Sequence, residues 1–380
     1  MFFSKRKKIG ILFTHNENWI GGTYYLLNLI SSFKVLNEKD KPEIIIISKK
    51  QEDFEVAKST NYPYLKYLNF QIPYNFYQRV VFRFFPDYSR RNFKTYFSPN
   101  QFDTVFPYTY IEELKKIPHK VYWYPDFQEY YFPDFFTPEE IVLRKKMQHD
   151  VAESKNVLIL SSESALNDFL IFHPNYVCKP KIVNFAVTHP AYTHLNISDL
   201  KIKFGIDRDY FISPNQFWQH KNHLTILKAI KQLKQQHENV LLVFTGKEYD
   251  YRNPTYTDDL KKFVEENDLA TQVLFLGFID RAEQLQLMKH AKAIIQPSLF
   301  EGWSTVVEDA KAMDQYVIAS DIPVHRDQLK KNAVFFSPTN EAELADRILM
   351  VTHSNTIDDS NSYINNVKAF AESFLKSIKS

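Results

Sequence analysis

The chain holds a single cysteine, Cys178, in 380 residues, so no internal disulfide can form, and no Cys/His cluster suggests structural zinc. That thiol reads as a small apolar side chain rather than a nucleophile, and it fits a reducing compartment. Glycine is almost as scarce, at seven residues: Gly10, Gly21, Gly22, Gly205, Gly246, Gly277 and Gly302. No run of about 20 apolar residues occurs, so no membrane-spanning helix is predicted. The basic start, Lys5 to Lys8, precedes an apolar run too short for a signal-peptide core. The expectation is a cytoplasmic protein that at most lies peripherally on the inner face of a membrane. Charge of one sign is also lacking. The net charge of +2 gives no global reason for a nucleic-acid partner, and none is expected. No G-x-G-x-x-G follows the first strand of either half, which argues against a dinucleotide oxidoreductase. No Asp-x-Asp stands in a convincing metal-binding loop.

What is present is an ordinary globular composition, 44% hydrophobic and 24% charged, in a chain long enough for two domains. Aromatics are uneven, with close to half of them between Tyr62 and Phe136. Residues 8–13 and 44–47 read as buried strands, with a loop at Gly21-Gly22 and then a helical pattern between them. Thr137-Pro138-Glu139-Glu140 carries a capping box and opens a helix. Further strands are predicted at 104–106, 120–123, 157–160 and 181–187. The polar stretch 188–198 reads as the inter-domain linker. Beyond it, strands at 210–213, 240–244, 273–276, 293–296 and 317–320 alternate with helices, which implies a parallel sheet covered on both faces. The architecture is α/β: two doubly wound Rossmann-like domains facing a central cleft. The first spans residues 1–188 and the second 189–360. Residues 361–380 form a C-terminal helix that crosses back to the first domain.

Ligands in such folds bind at the carboxyl ends of the strands. There Phe300-Glu301-Gly302-Trp303-Ser304-Thr305-Val306-Val307-Glu308-Asp309 follows a strand and opens a helix. Gly302 lets the backbone approach a ligand, and the free N–H groups of Trp303, Ser304 and Thr305 suit a diphosphate. Thr305 and Glu308 have capping-box spacing, so Glu308 is expected to fold back on its own helix. Asp309 lies one position further round, and Glu301 has no local structural use.

This segment, with Ser320-Asp321-Ile322-Pro323-Val324-His325-Arg326, resembles the signature of glycosyltransferase family 4, the group 1 glycosyltransferases. These are retaining, metal-independent enzymes of the GT-B fold. The family pattern has two acids eight positions apart. The resemblance therefore assigns the donor-sugar contact beside the reaction centre to Glu301 and the ribose contact to Asp309, where the family has Glu. In Asn215-Gln216-Phe217-Trp218-Gln219-His220-Lys221, Lys221 matches the family's diphosphate-binding Lys and Gln216 stands at the position of its Arg. A single ammonium still neutralises charge growing on a diphosphate leaving group. His220 and His223 read as capping or packing residues. Gly21 and Gly22 match the family's glycine-rich loop near donor and acceptor. Asp126, in Tyr124-Pro125-Asp126, matches the acidic member of a His-Asp pair near the acceptor, with Pro125 at the histidine position; a turn-forming Asp is the competing reading.

The resemblance implies transfer of a hexose from a nucleoside-diphosphate sugar donor to a saccharide or lipid-linked acceptor in bacterial surface polysaccharide or glycoconjugate synthesis. It implies no cofactor and no metal. A non-catalytic sugar- or nucleotide-binding protein and a sugar-nucleotide epimerase are the alternatives on the same fold. The aromatic middle carries Arg79, Arg83, Arg90, Arg91 and Lys94, and reads either as a peripheral membrane contact or as an aromatic core with a solvated edge.

Overall fold

The computed structural model of the chain describes residues 6–16, 20–69, 101–109, 114, 117, 119–353 and 362–379. In chain order the first half runs β1 (Lys8–Leu12), α1 (Ile20–Ser32), β2 (Glu43–Ser48), α2 (Gln51–Lys58), β3 (Leu65–Asn69), β4 (Thr104–Phe106), β5 (Val121–Tyr124), α3 (Gln128–Tyr131), α4 (Pro138–Ala152), β6 (Val157–Leu160), α5 (Glu163–Phe172) and β7 (Lys179–Ile182). The strands are parallel and ordered β3-β2-β1-β4 and β5-β6-β7. A parallel bridge from Val105 to Lys120 connects the two groups. β2 reads Glu-Ile-Ile-Ile-Ile-Ser, the near-continuous β-branched run of a strand covered on both faces. α4 begins as its sequence predicts: Thr137 Oγ1 accepts from the Glu140 amide, and Glu140 Oε2 accepts from the Thr137 amide at 2.9 Å.

The second half runs α6 (Ile197–Phe204), β8 (Tyr210–Pro214), α7 (His223–Gln235), β9 (Leu241–Thr245), α8 (Tyr256–Glu266), β10 (Val273–Phe275), α9 (Arg281–Lys289), β11 (Ile294–Gln296), α10 (Thr305–Ala312), β12 (Val317–Ser320), α11 (Pro323–Gln328), β13 (Ala333–Phe336) and α12 (Glu341–His353). Its six parallel strands are ordered β10-β9-β8-β11-β12-β13. Strand order therefore reverses beside β1 and again beside β8. A crevice opens where the loops after such strands diverge. The loop after β8 carries Lys221 and the loop after β11 carries Glu301, so these two side chains meet at the switch point of the second sheet.

The final helix, α13 (Ile364–Ser377), returns to the first domain. Its Val367, Phe370, Ala371 and Phe374 are buried in one core with Tyr25, Leu29, Phe33 and Phe106. Phe374 meets Phe106 edge-on at 4.9 Å between ring centres, and Phe370 meets Tyr25 at 5.7 Å.

Three expectations need correction. Gly21 and Gly22 do not form a loop; they lie in the first turn of α1, which begins at Ile20. The linker is shorter than 188–198, because Asn196 caps α6 by accepting from the Ser198 amide at 2.8 Å. The last strand of the first domain ends at Ile182 rather than 187; residues 183–187 are largely buried but outside the ladder. Arg79, Arg83, Arg90, Arg91 and Lys94 lie outside the described residues.

Candidate active site

Glu301, Gly302, Trp303, Ser304, Thr305, Asp309, Lys221, Gln216, Gly21, Gly22 and Asp126 all line one cleft of about 820 Å³ between the two domains. Sequence positions as far apart as Gly21 and Asp309 are thus brought to one place.

At its centre Lys221 Nζ donates to Glu301 Oε1 at 2.6 Å. The same oxygen accepts from Ser298 Oγ at 2.7 Å and from Gln296 Nε2 at 2.8 Å. Glu301 does not project freely over the cleft as expected; its side chain is 8% exposed and held by donors from its own loop and from β11. Burial pushes its carboxyl up, but Lys221, with the nearby His325, outweighs this and holds it below the ordinary value. Lys221 sits on a single helical turn, 219–221, whose path is fixed by its neighbours. Leu299 N donates to His220 O, and the Asn222 amide group donates to the carbonyls of Pro297 and Pro338. His220 and His223 are buried, and burial with Lys221 nearby holds both well below the ordinary imidazole range. His223 stacks on Phe217 at 4.5 Å, so both act as packing groups.

The second acid is also occupied. Arg281 Nη2 donates to both oxygens of Asp309, at 2.5 and 2.6 Å, and His189 Nε2 lies 3.0 Å from Oδ1. Burial opposes ionisation of Asp309, yet Arg281 and His189 hold it below its ordinary value. Arg281 lies over the Tyr24 ring at 5.2 Å and donates to Gln284 Oε1 at 2.8 Å. Sequence reasoning missed Arg281 and His189. A signal for Arg281 existed, because it is the first residue of the helix after a strand end, just past the N-cap Asp280. Nothing in the sequence pointed to Asp309 as its partner.

Glu308 stays out of the cleft, but not through a capping box. The cap of α10 is Ser304, whose side chain accepts from the Val307 amide, one residue earlier than predicted. Glu308 instead accepts from Lys311 Nζ (2.7 Å), Gln328 Nε2 (3.1 Å) and Tyr363 Oη (2.6 Å). The last bond ties the second domain to the start of α13. The Ser304 amide is not free as expected, since it donates to Gln328 Oε1 at 2.9 Å; the first-turn amides of Thr305 and Val306 have no earlier helical carbonyl to bond, and both residues line the cleft.

Gly302 has a different reason to be glycine than the approach of a ligand. A Cβ there would lie 2.3 Å from the Pro125 carbonyl oxygen, so it is the first domain's backbone that needs the room. Next to it Trp303 Nε1 donates to Phe185 O at 3.1 Å, a second bond across the domain boundary. Asp126, on the segment that Gly302 touches, is partly buried and accepts from the Gln128 amide at 3.1 Å. Burial, reinforced by Glu129 and Glu301, raises its carboxyl to about 6. At the cleft's far rim Arg252, paired with Asp250 at 3.0 Å, lies near the Trp218 and Phe136 rings, and Arg144 lies over Phe136 from the other domain. Among the described residues no three His, Cys, Asp or Glu side chains gather as metal ligands.

With this geometry in view, residues 198–370 match the profile of the family described as glycosyl transferases group 1. Over 216 residues the chain is 26% identical to the O-antigen chain mannosyltransferase RfbU of Salmonella typhimurium, a match covering 57% of this chain and 56% of that protein. The chain thus spans little more than half the length of this curated relative. A glycosyltransferase from Rickettsia africae superposes with a TM-score of 0.64 at 14% identity, over 99% of this chain and 95% of its own. Anabaena Alr3699/HepE in complex with UDP and glucose superposes with 0.63 at 14% identity, over 98% and 96%. These likenesses establish the fold as GT-B, with two Rossmann-like domains.

Proposed function

We propose that the protein is a retaining hexosyltransferase that moves a sugar from a nucleoside-diphosphate donor to a hydroxyl of a saccharide, free or lipid-linked, in bacterial surface glycan synthesis. The observation that carries this reading is the Lys221–Glu301 pair, 2.6 Å apart at the switch point of the second sheet and beside the open amides of α10. Donor diphosphate against those amides gives Lys221 a doubly charged partner and draws it from Glu301. The released carboxylate, held in place by Gln296 and Ser298, then accepts hydroxyls of the donor sugar. Glu301 is held below its ordinary pKa, so it acts as an acceptor of hydrogen bonds at neutral pH, not as an acid.

Asp309 takes the ribose in this reading, together with Arg281, whose guanidinium fixes the shorter side chain at the cleft wall. Asp126 faces the acceptor side, and a carboxyl near 6 is ionised yet basic enough to hold an acceptor hydroxyl. Lys221 and the α10 amides stabilise the leaving diphosphate without a metal ion or other cofactor. Support also comes from the mannosyltransferase relative and from fold neighbours bound to UDP and glucose. A cytoplasmic enzyme with access to a membrane-held acceptor fits the same reading, and no helix among the described residues is long and apolar enough to cross a membrane.

The test is donor consumption across a panel of UDP- and GDP-sugars, with Glu301→Ala as control. Turnover of at least one donor that falls by 100-fold or more in the variant is expected from loss of a contact at the reaction centre, which is worth about 3 kcal/mol. Equal turnover by both proteins, or donor binding without turnover, would point to a binding protein. Interconversion of the donor's own sugar without transfer would point to an epimerase.

A further inference from the structure

Two arginines meet at the mouth of the cleft, one from each domain. Arg252 follows β9 in the second domain, and Arg144 lies on α4 in the first. Their guanidinium carbons stand 5.8 and 4.6 Å from the centre of the same ring, that of Phe136. Arg252 is also within cation–π reach of Trp218 at 5.0 Å, Tyr251 at 5.7 Å and Phe135 at 5.8 Å. Its side chain is only 10% exposed. A cation this buried, with a second cation on the same ring, is costly unless negative charge stands close to both.

Each arginine has a carboxylate of its own, and both carboxylates stand behind the cleft wall. The side chains of Asp250 and Glu129 are 1% and 0% exposed, and neither lines the cleft. Asp250 takes Nε of Arg252 at 3.0 Å and Nη2 at 3.5 Å, which leaves Nη1 without a hydrogen-bond partner among the described residues. Asp250 also accepts from the amides of Arg252 and Gln219, at 3.1 and 3.2 Å, so its lone pairs are shared. Glu129 Oε2 lies 3.6 Å from Arg144 Nη1, beyond hydrogen-bond reach, and the Arg144 side chain is 47% exposed. Among the described residues that line the cleft, the acids are Asp126, Glu301 and Asp309. Lys221 holds Glu301 and Arg281 holds Asp309. Arg144 acts on Asp126 too weakly to offset burial, which keeps that carboxyl near 6. The two guanidinium groups therefore face the cleft with donors unused.

We propose that Arg144 and Arg252 form an anion subsite for the acceptor, which carries a phosphate or carboxylate group that the two side chains clasp beside Phe136. The planar fork of a guanidinium matches the paired oxygens of either group. The subsite is on the acceptor side because Phe135, Phe136 and Arg144 all belong to the first domain. It is also close to the reaction centre, since Asp250 ties Arg252 to Gln219, two residues before Lys221. The surrounding rings suit the carbon framework that bears the charge, whether the face of an acidic sugar or the isoprenoid of a lipid diphosphate. Placing the anion on an acceptor rests on the proposed transferase reading; its binding between the two arginines does not.

The test is calorimetric titration of the full chain, with and without saturating UDP or GDP, using two pairs of probes. Methyl glucuronide against methyl glucoside represents an acidic sugar, and geranyl diphosphate against geraniol represents a lipid diphosphate. At least one charged probe should bind roughly tenfold or more tightly than its neutral counterpart with the nucleotide present, and which pair shows it identifies the source of the charge. Arg144→Gln and Arg252→Gln should each cut that preference by about tenfold, and Arg252→Lys should lose part of it, because an ammonium lacks the fork. Arg144 is half-exposed, so its variant keeps the test decisive if loss of Arg252 unsettles the buried Asp250. Charged and neutral probes that bind alike, failure of both charged probes to bind, or a preference that survives both glutamine variants overturns the proposal. So does displacement of the charged probe by UDP or GDP, because the anion would then occupy the donor's place. Donor consumption by the parent protein is measured separately. Its absence would defeat the transferase reading and leave the titration result standing.

Discussion

Gly302 and Pro125 touch across the domain boundary so closely that a β carbon on Gly302 would stand 2.3 Å from the Pro125 carbonyl oxygen and 3.0 Å from the Asp126 Cβ. The contact presses the segment that bears Asp126 against the loop that bears Glu301. Gly302→Ala is therefore expected to displace one segment from the other. Backbone cannot yield as a flexible side chain does, so a cost of about 1–3 kcal/mol in stability is expected. Loss of activity should exceed what the fall in melting temperature explains. Full activity at a temperature where the variant is folded would show that the contact is not needed for the site.

Lys221→Met should leave the Glu301 carboxylate buried with only Gln296 and Ser298 as donors. Removing one partner of a buried ion pair costs about 3–5 kcal/mol, and these two neutral donors soften that. The pH dependence has a definite sign. Glu301 is held below its unfolded value, so it contributes stability above the unfolded pKa, and that contribution is lost as pH falls through the folded one. In the variant this contribution is gone, so denaturant unfolding should show parent and variant converging as pH drops below about 4. A gap that stays constant with pH would mean the pair is not what sets Glu301.

Asp126 carries the opposite sign. Its carboxyl is raised to about 6, so the folded state binds its proton more tightly than the unfolded chain. The group's contribution to stability is complete below about pH 4 and is lost as pH rises through 6. At pH 7.5 the ionised, partly buried carboxylate is a net cost. Asp126→Asn should then stabilise the protein by about 1–3 kcal/mol at pH 7.5 and have little effect at pH 4. Transfer activity should fall in the same variant. A destabilised Asn variant at neutral pH would reject the raised value.

Glu308 and Asp309 are neighbours with separate assignments. Asp309→Asn weakens the hold on Arg281 and should raise the donor KM roughly tenfold or more, equivalent to about 1.4 kcal/mol of binding. Glu308→Gln should leave donor affinity unchanged and instead lower the melting temperature. Tyr363→Phe should do the same, since it removes a hydrogen bond to a buried carboxylate worth about 2 kcal/mol. If Glu308→Gln harms donor binding as much as Asp309→Asn, the division between the two acids is wrong.

These two residues also show what the sequence discloses and what it withholds. Strand alternation and the placing of Lys221 and Glu301 after β8 and β11 are local properties of chain and period, and both could be read directly. That every selected residue would line one cleft followed from the rule that such folds bind ligands at strand carboxyl ends. The partners of each side chain were not readable in this way. Lys221 to Glu301 spans 80 residues, His189 to Asp309 spans 120, and Tyr363 to Glu308 spans 55. The first pair is set by the adjacency of β8 and β11 in one sheet, the others by how the linker and the start of α13 pack on α10, and no periodicity within either segment encodes that. The capping logic failed for a smaller reason: Ser304 and Thr305 are both competent caps, and packing of Gln328 against Ser304 N and O selected the first.

The return of α13 to the first domain has a consequence for the order in which the molecule is made. Tyr25, Phe33 and Phe106 precede the whole second domain in translation, but Phe370 and Phe374, which cover them, follow it. The domain synthesised first is therefore the last to seal, and the second domain has its whole sheet in hand while its predecessor still shows an open aromatic face. During that interval the nascent chain has every reason to engage a chaperone.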